Sequence, residues 1–107
     1  MGDQMAGLVL DERGIVCDCD NGCETLFGHS RDEMVSRHVA MLLPQLADID
    51  LLTDGQPNSK LRFLSRIGVR FHALNRSGER FLCNLFLNNL GNQESRRLRM
   101  IVRRGEQ

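Results

Sequence analysis

The sequence predicts an α+β fold, a five-stranded antiparallel sheet with short helices covering one face. Three observations carry this expectation. The chain opens on two short β-prone runs separated by a glycine-containing turn, its middle holds helix-capping residues with apolar positions at helical spacing, and its second half alternates apolar and polar residues between tight turns. Strands, then helices, then strands is the order that segregates helices onto one side of an antiparallel sheet. The 107 residues suit one domain, expected over residues 7–104, with a short extension at 1–6 and a tail at 105–107.

The elements follow in order. "GLVLD" (residues 7–11) and "GIVCDC" (14–19) flank "ERG", a hairpin signal. Along the second run Ile15, Cys17 and Cys19 alternate with Val16, Asp18 and Asp20, which predicts an acidic face toward water. Asp20 is placed to N-cap a short helix through Cys23, Leu26 and Phe27, closed by Gly28. "SRDE" (30–33) is a capping box, and Met34, Val35, His38, Val39 and Leu42 carry that helix on until Pro44. Residues 45–52 predict another short helix, and "TDGQPNS" (53–59) a loop. Beyond it "GVRFHALN" sets Val69, Phe71 and Ala73 against Arg70, His72 and Leu74. "RSGE" (76–79) turns, "RFLCNLFLNNL" (80–90) is a long strand, "GNQES" (91–95) turns again, and "RRLRMIVRR" (96–104) points Leu98, Met100 and Val102 inward. Three strands with tight turns make an antiparallel meander.

Composition excludes several classes. No apolar run approaches the ~18 residues of a membrane span, and the start lacks a signal peptide's basic and apolar regions. A cytoplasmic setting with no membrane contact is therefore expected, with Cys17, Cys19, Cys23 and Cys83 as reduced thiols. Net charge is zero, yet residues 1–54 carry eleven acidic and three basic side chains and residues 55–107 three and eleven. Such asymmetry can mark a nucleic-acid surface. Without aromatic residues interleaved among the arginines, the reading preferred is an acidic half packed on a basic half, with no nucleic-acid partner.

Catalytic and metal chemistry find little support. Structural zinc uses Cys-x2–4-Cys knuckles on turns that let both sulfurs converge. Cys17-x-Cys19 on a strand with Cys23 beyond it is a poor match, and the three read as small buried apolar residues. Thiol sensing needs an exposed cysteine with a lowered pKa, but Asp18 and Asp20 push the other way. Cys23 and His29 make a conceivable nucleophile–base pair with no third orienting group. Asp18 with Asp20 reads as a solvated face, and the ten glycines form no phosphate-binding loop. No catalytic and no metal residue is assigned, and the chain is not expected to be an enzyme.

Two stretches resemble the PAS domain family of sensory and interaction modules. "ETLFGHSRDEMVSRHVAMLLP" (residues 24–44) is similar to the family's Leu-Phe-Gly-Tyr-Ser, acidic pair and terminal Leu-Pro, and "ALNRSGERF" (73–81) to its arginine, glycine turn and phenylalanine entering a long strand. Matching sequence covers residues 7–44 and 70–91. Asp20, His29 and Ser36 stand where the family often has Asn, Tyr and Gly. The chain ends "IVRRGEQ" in place of the family's Asp-Ile-Thr exit, as a fragment or variant would.

The resemblance implies a signalling domain, for ligand sensing or dimerisation, within a larger bacterial regulatory protein such as a histidine kinase or cyclic-dinucleotide enzyme. A ligand would occupy a cavity between helices and sheet, with Leu42, Leu52, Val69, Phe71, Ala73, Cys83 and Leu85 as candidate lining. Many such domains are packed solid and act only as dimerisation modules. The outer sheet face, with Arg70, His72, Leu82, Phe86, Arg99, Ile101 and Arg103, is the expected interface for a homodimer or for the output domain of the same polypeptide. No cofactor is the preferred expectation. Some PAS sensors hold haem through a histidine in the region matching residues 45–65, and none lies between Gln45 and Phe71. The reactive-cysteine setting of flavin photosensors is absent from "DNGCETLFG", and the alternatives to no cofactor are a non-covalent flavin or a haem held by another histidine such as His38 or His72.

Overall fold

The structure is a computed structural model that describes residues 4–90 and 96–105. The expected turn at 91–95 lies outside these residues. Five strands, β1 (Met5–Asp11), β2 (Val16–Cys19), β5 (Phe71–Leu74), β6 (Arg80–Asn89) and β7 (Arg97–Arg104), form one antiparallel sheet in the order β2-β1-β7-β6-β5. A second hairpin pairs β3 (Leu52–Thr53) with β4 (Gln56–Pro57). Helices α1 (Asn21–Phe27), α2 (Arg31–Met34) and α3 (Ser59–Arg66), with 3-10 turns at Val39–Met41 and Pro44–Leu46, lie between β2 and β5 in the chain. This is the α+β arrangement the sequence predicts. β1 begins two residues earlier than expected and pairs along its whole length with β7.

Period two assigns the faces. Leu8, Leu10, Leu85, Leu87, Leu98, Met100 and Val102 point to the helices and are buried, and α1 and the two 3-10 turns add Leu26, Phe27, Val39, Leu42, Leu43 and Leu46 to the same core. Every fully buried side chain among the described residues is apolar. At about 25 cal/mol per Å² of apolar surface removed from water, this single core dominates the stabilisation.

Local chemistry fixes the helix ends. The Asp20 carboxylate accepts from the Cys23 amide, and Gly28 takes the left-handed conformation (φ 78°) that closes α1. The Asp20 side chain also accepts from the Gly7 amide at 3.0 Å, which ties α1 to β1. Ser30 and Glu33 form the capping box reciprocally at 3.3 and 2.7 Å.

Four expectations need correction. The helix from Ser30 to Pro44 stops after four residues. Ser36 adopts φ 75°, and the Arg37 carbonyl and the Ser36 and Val39 amides bond to the Val16 and Gly14 backbone, so this segment pairs with the hairpin and cannot continue a helix. The alternation along residues 15–20 breaks at a bulge in the β1–β2 register, where Val9 pairs with Asp18 but Leu10 with Val16. Val16 and Cys19 therefore point inward, and Cys17 sits half-buried on the outer side. Residues 45–52 hold one 3-10 turn and then enter β3, because β3 needs a partner that residues 53–59 supply. That stretch is a two-residue hairpin: Asp54 (φ 55°) and Gly55 (φ 78°) supply the two positive φ angles of its turn. Asn58 then caps α3, its side chain accepting from the Lys60 and Leu61 amides.

Gly22 shows how closely α1 lies on the sheet. A Cβ at this position would overlap the Met5 carbonyl oxygen of β1. Gly22→Ala is expected to push α1 off β1 and destabilise by about 1–3 kcal/mol. Urea unfolding checks this, and an unchanged midpoint would show that α1 does not sit where described.

Candidate functional site

The cysteine stretch contributes thiols that are buried for packing. The Cys23 Sγ–H donates to the Gly7 carbonyl at 3.2 Å and the Cys83 Sγ–H to the Phe71 carbonyl at 3.5 Å. Burial pushes the Cys83 thiol up to about 12, and burial together with the Asp20 charge pushes Cys23 well above its ordinary range. Burial also raises Cys19 and Cys17, the latter opposed by Arg97 and reinforced by Asp11 and Asp18. A nucleophilic or metal-binding thiol needs the opposite, a stabilised thiolate. Among the described residues no three His, Cys, Asp or Glu side chains converge on a point that could hold a metal ion.

The acidic residues of this region are engaged as surface partners. Asp18 accepts from the Arg31 guanidinium at 2.7 Å, and that hydrogen bond, with the Cys19 amide, holds its carboxyl below the usual range. Glu33 is lowered by the Ser30 amide first and then by Arg76. His38 accepts from the Ala40 amide through Nδ1, while His29 and His72 lie elsewhere on the surface.

An opening of about 480 Å³ is a cleft between α3, the 45–53 segment and the start of β5. Ile49, Leu61, Leu64 and Phe71 make its floor, and Asp48, Asp50, Asn58 and Lys60 its rim. An apolar floor under a few polar groups is the usual make-up of a small-molecule site, and the volume lies within the usual range. Gln45 stands at its edge, where its side-chain carbonyl accepts from the His72 amide of β5 at 2.7 Å. Gln45 also borders a smaller hollow of about 240 Å³ with Pro44, Ala73 and Arg80.

The cavity residues named from the sequence are divided by the fold. Leu42, Leu52, Ala73, Cys83 and Leu85 are buried in the core, with Leu52 on β3 and Leu42 ending a 3-10 turn. Phe71 is the one that reaches the floor of the larger cleft. Val69 precedes β5 and is 36% exposed, because its amide closes the end of α3 by donating to the Leu64 carbonyl. Gln45, Ile49, Leu61 and Leu64 were missed. The Asn58 cap signals α3, which carries Leu61 and Leu64; Gln45 lies on a 3-10 turn and Ile49 in the loop after it, which no comparable local signal marks.

The outer face assembles as alternation predicts. His72 pairs with Leu82, and Phe86 lies between Ile101 on β7 and solvent, flanked by Asn84–Arg103 and Asn88–Arg99. Phe86 is 37% exposed with the Arg103 guanidinium 5.5 Å from its ring centroid, a cation–π contact. Val9 and Gly7 extend the row onto β1 opposite Arg99 and Ile101. Arg70 lies at the sheet's end beside Gly105.

No protein-family model matches the sequence, and no curated protein matches it closely enough to count as a relative. Solved structures do match. A PAS domain from a two-component sensor histidine kinase superposes with a TM-score of 0.71 at 18% identity, over 94% of this chain and 85% of that one. The PAS domain of an HTR-like protein from Haloarcula marismortui gives 0.67 at 15% identity, over 94% and 81%. A light-oxygen-voltage domain studied with a flavin analogue gives 0.68 at 17% identity, over 97% and 79%. The chain therefore has the PAS fold.

Proposed function

We propose that this domain is a sensory relay within a larger regulatory protein, acting through dimerisation on its outer sheet face. The observation that supports this best is the contrast between the two sides of the sheet. The inner side is closed by a continuous apolar core, whereas the outer side exposes Phe86 with Leu82, Ile101 and Val9 half-buried around it. Arginines at 97, 99 and 103 border that apolar row, the composition of a mixed protein interface. Kinship of fold with a domain from a sensor histidine kinase is consistent with an output domain in the same polypeptide.

A second reading rests on the cleft. A small molecule entering it would meet Phe71 and Gln45, and Gln45 holds the β5 amide at His72. Competition for that side-chain carbonyl would loosen the β5 edge, and His72 faces the same side as Leu82 and Phe86. A ligand with different affinity for the two arrangements shifts their populations and so the partner's docking. The floor of Ile49, Leu61, Leu64 and Phe71 takes an apolar body.

Native mass spectrometry of the wild type and of Phe86→Asp tests both readings. The wild type is expected as a dimer and Phe86→Asp as a monomer, since a carboxylate at the centre of an apolar contact costs about 2 kcal/mol or more on each side. A wild-type monomer, or a variant that stays dimeric, removes the interface. An added mass on the folded protein that is lost in a Leu64→Phe variant places a ligand in the cleft.

A further inference from the structure

We propose that the outward face of α3 is a docking surface for anionic lipid. One side of this helix, Leu61, Leu64 and Ser65, faces the domain: Leu61 is buried, Leu64 packs on the core, and the Ser65 hydroxyl donates to the Leu85 carbonyl of β6. Helical spacing then turns Phe63 and Ile67, four residues apart, away from the protein. They are 55% and 57% exposed, the two most exposed large apolar side chains of the described structure. Arg62 and Arg66 run along one flank of this pair and Lys60 along the other, all three exposed.

Charge selects the occupant. Residues 55–78 contain five basic side chains and no acidic one. Among the described residues no ion pair joins Lys60, Arg62 or Arg66 to a carboxylate. Three exposed cations around two protruding apolar side chains match an anionic bilayer surface, where the cations meet headgroups and Phe63 and Ile67 reach the acyl boundary. Phe63 and Ile67 protrude from the helix, so a bilayer surface accepts them without a matching pocket, whereas a protein partner would have to supply an acid-rimmed groove. Asp48 and Asp50 line the cleft together with Lys60, and neither Arg62 nor Arg66 borders it. The sequence expectation of no membrane contact considered only spanning segments, and surface attachment needs none.

Sedimentation of the full chain with vesicles of phosphatidylcholine, with and without 30% phosphatidylserine, tests the proposal. Bound protein is expected to rise at least about fivefold with the anionic lipid and to fall to the neutral-vesicle level in about 0.5 M salt. Phe63→Asp with Ile67→Asp, and separately Arg62→Glu with Arg66→Glu, should each abolish that rise. Both pairs are solvent-exposed, so unfolding curves should match the wild type. Equal binding to neutral and anionic vesicles, or none to either, overturns the proposal. So does a loss of self-association in Phe63→Asp without lipid, which would make a second copy the occupant of this face.

Discussion

Phe27→Ala is expected to cost about 3–5 kcal/mol, enough to unfold much of the population at physiological temperature. Phe27 is the last residue of α1 and is completely buried, with its ring centroid 5.9 Å from that of Phe81 on β6. Its carbonyl accepts from the Arg76 amide in the β5–β6 turn, so one residue joins the first helix to the far hairpin by packing and by hydrogen bond. Removing the ring leaves a cavity bordered by rigid strands that cannot close over it, and the lost transfer energy and lost contacts add. Phe27→Leu retains most of the volume and should cost less than half as much. Urea unfolding with an unchanged m-value is the measurement. A loss below about 1 kcal/mol for the alanine variant would mean that Phe27 is not the bridge between the two halves.

Alkaline instability is the second large effect. The chain has no tyrosine, so its thiols carry the pH dependence of stability in the alkaline range. Cys23 and Cys83 bind their protons more tightly when folded, because burial penalises the thiolate. Their contribution is complete below the ordinary thiol value of 9.0 and drains as pH rises through the window toward the folded value, about 12 for Cys83. Each such thiol gives a slope of about 1.4 kcal/mol per pH unit within its window. The decline in stability between pH 9 and 11 should be shallower in Cys83→Ala by about 1.4 kcal/mol per pH unit, whatever that variant loses at pH 7. An unchanged slope would show that Cys83 ionises freely and is not buried. The same burial makes both thiols slow to react with a disulfide reagent at neutral pH, and half-buried Cys17 the first to be modified.

Legibility followed the range of the interactions. Asp20, Gly28, Ser30 and Glu33 were readable because a cap is a bond between residues three or four apart, carried by side chains with few other uses there. The inward and outward rows of β6 and β7 were readable because period two needs only one buried face. Ser36 was not readable as a break. Its positive φ is imposed by bonds from residues 36–39 to Val16 and Gly14, some twenty residues away, and helical spacing at Val35, His38 and Val39 pointed elsewhere. The bulge at Cys17 is of the same kind, since a register shift exists only between two strands.

The candidate sites divide along that line. Alternation along single strands determined the outer face with Leu82, Phe86, Ile101 and Arg103, and the paired halves of the charge pattern were visible in composition. Local signals determined the α+β class, and the resemblance carried by residues 24–44 and 73–81 pointed to the PAS fold. Only the tertiary structure decided that Leu42, Cys83 and Leu85 are buried in the core, that a cleft opens at Gln45, Leu64 and Phe71, and that α3 leaves Phe63 and Ile67 outside. The reason is physical. A cleft is the space left when separate elements meet, and its position depends on how far β3, α3 and β5 stand apart, which no residue specifies by its own conformational preference.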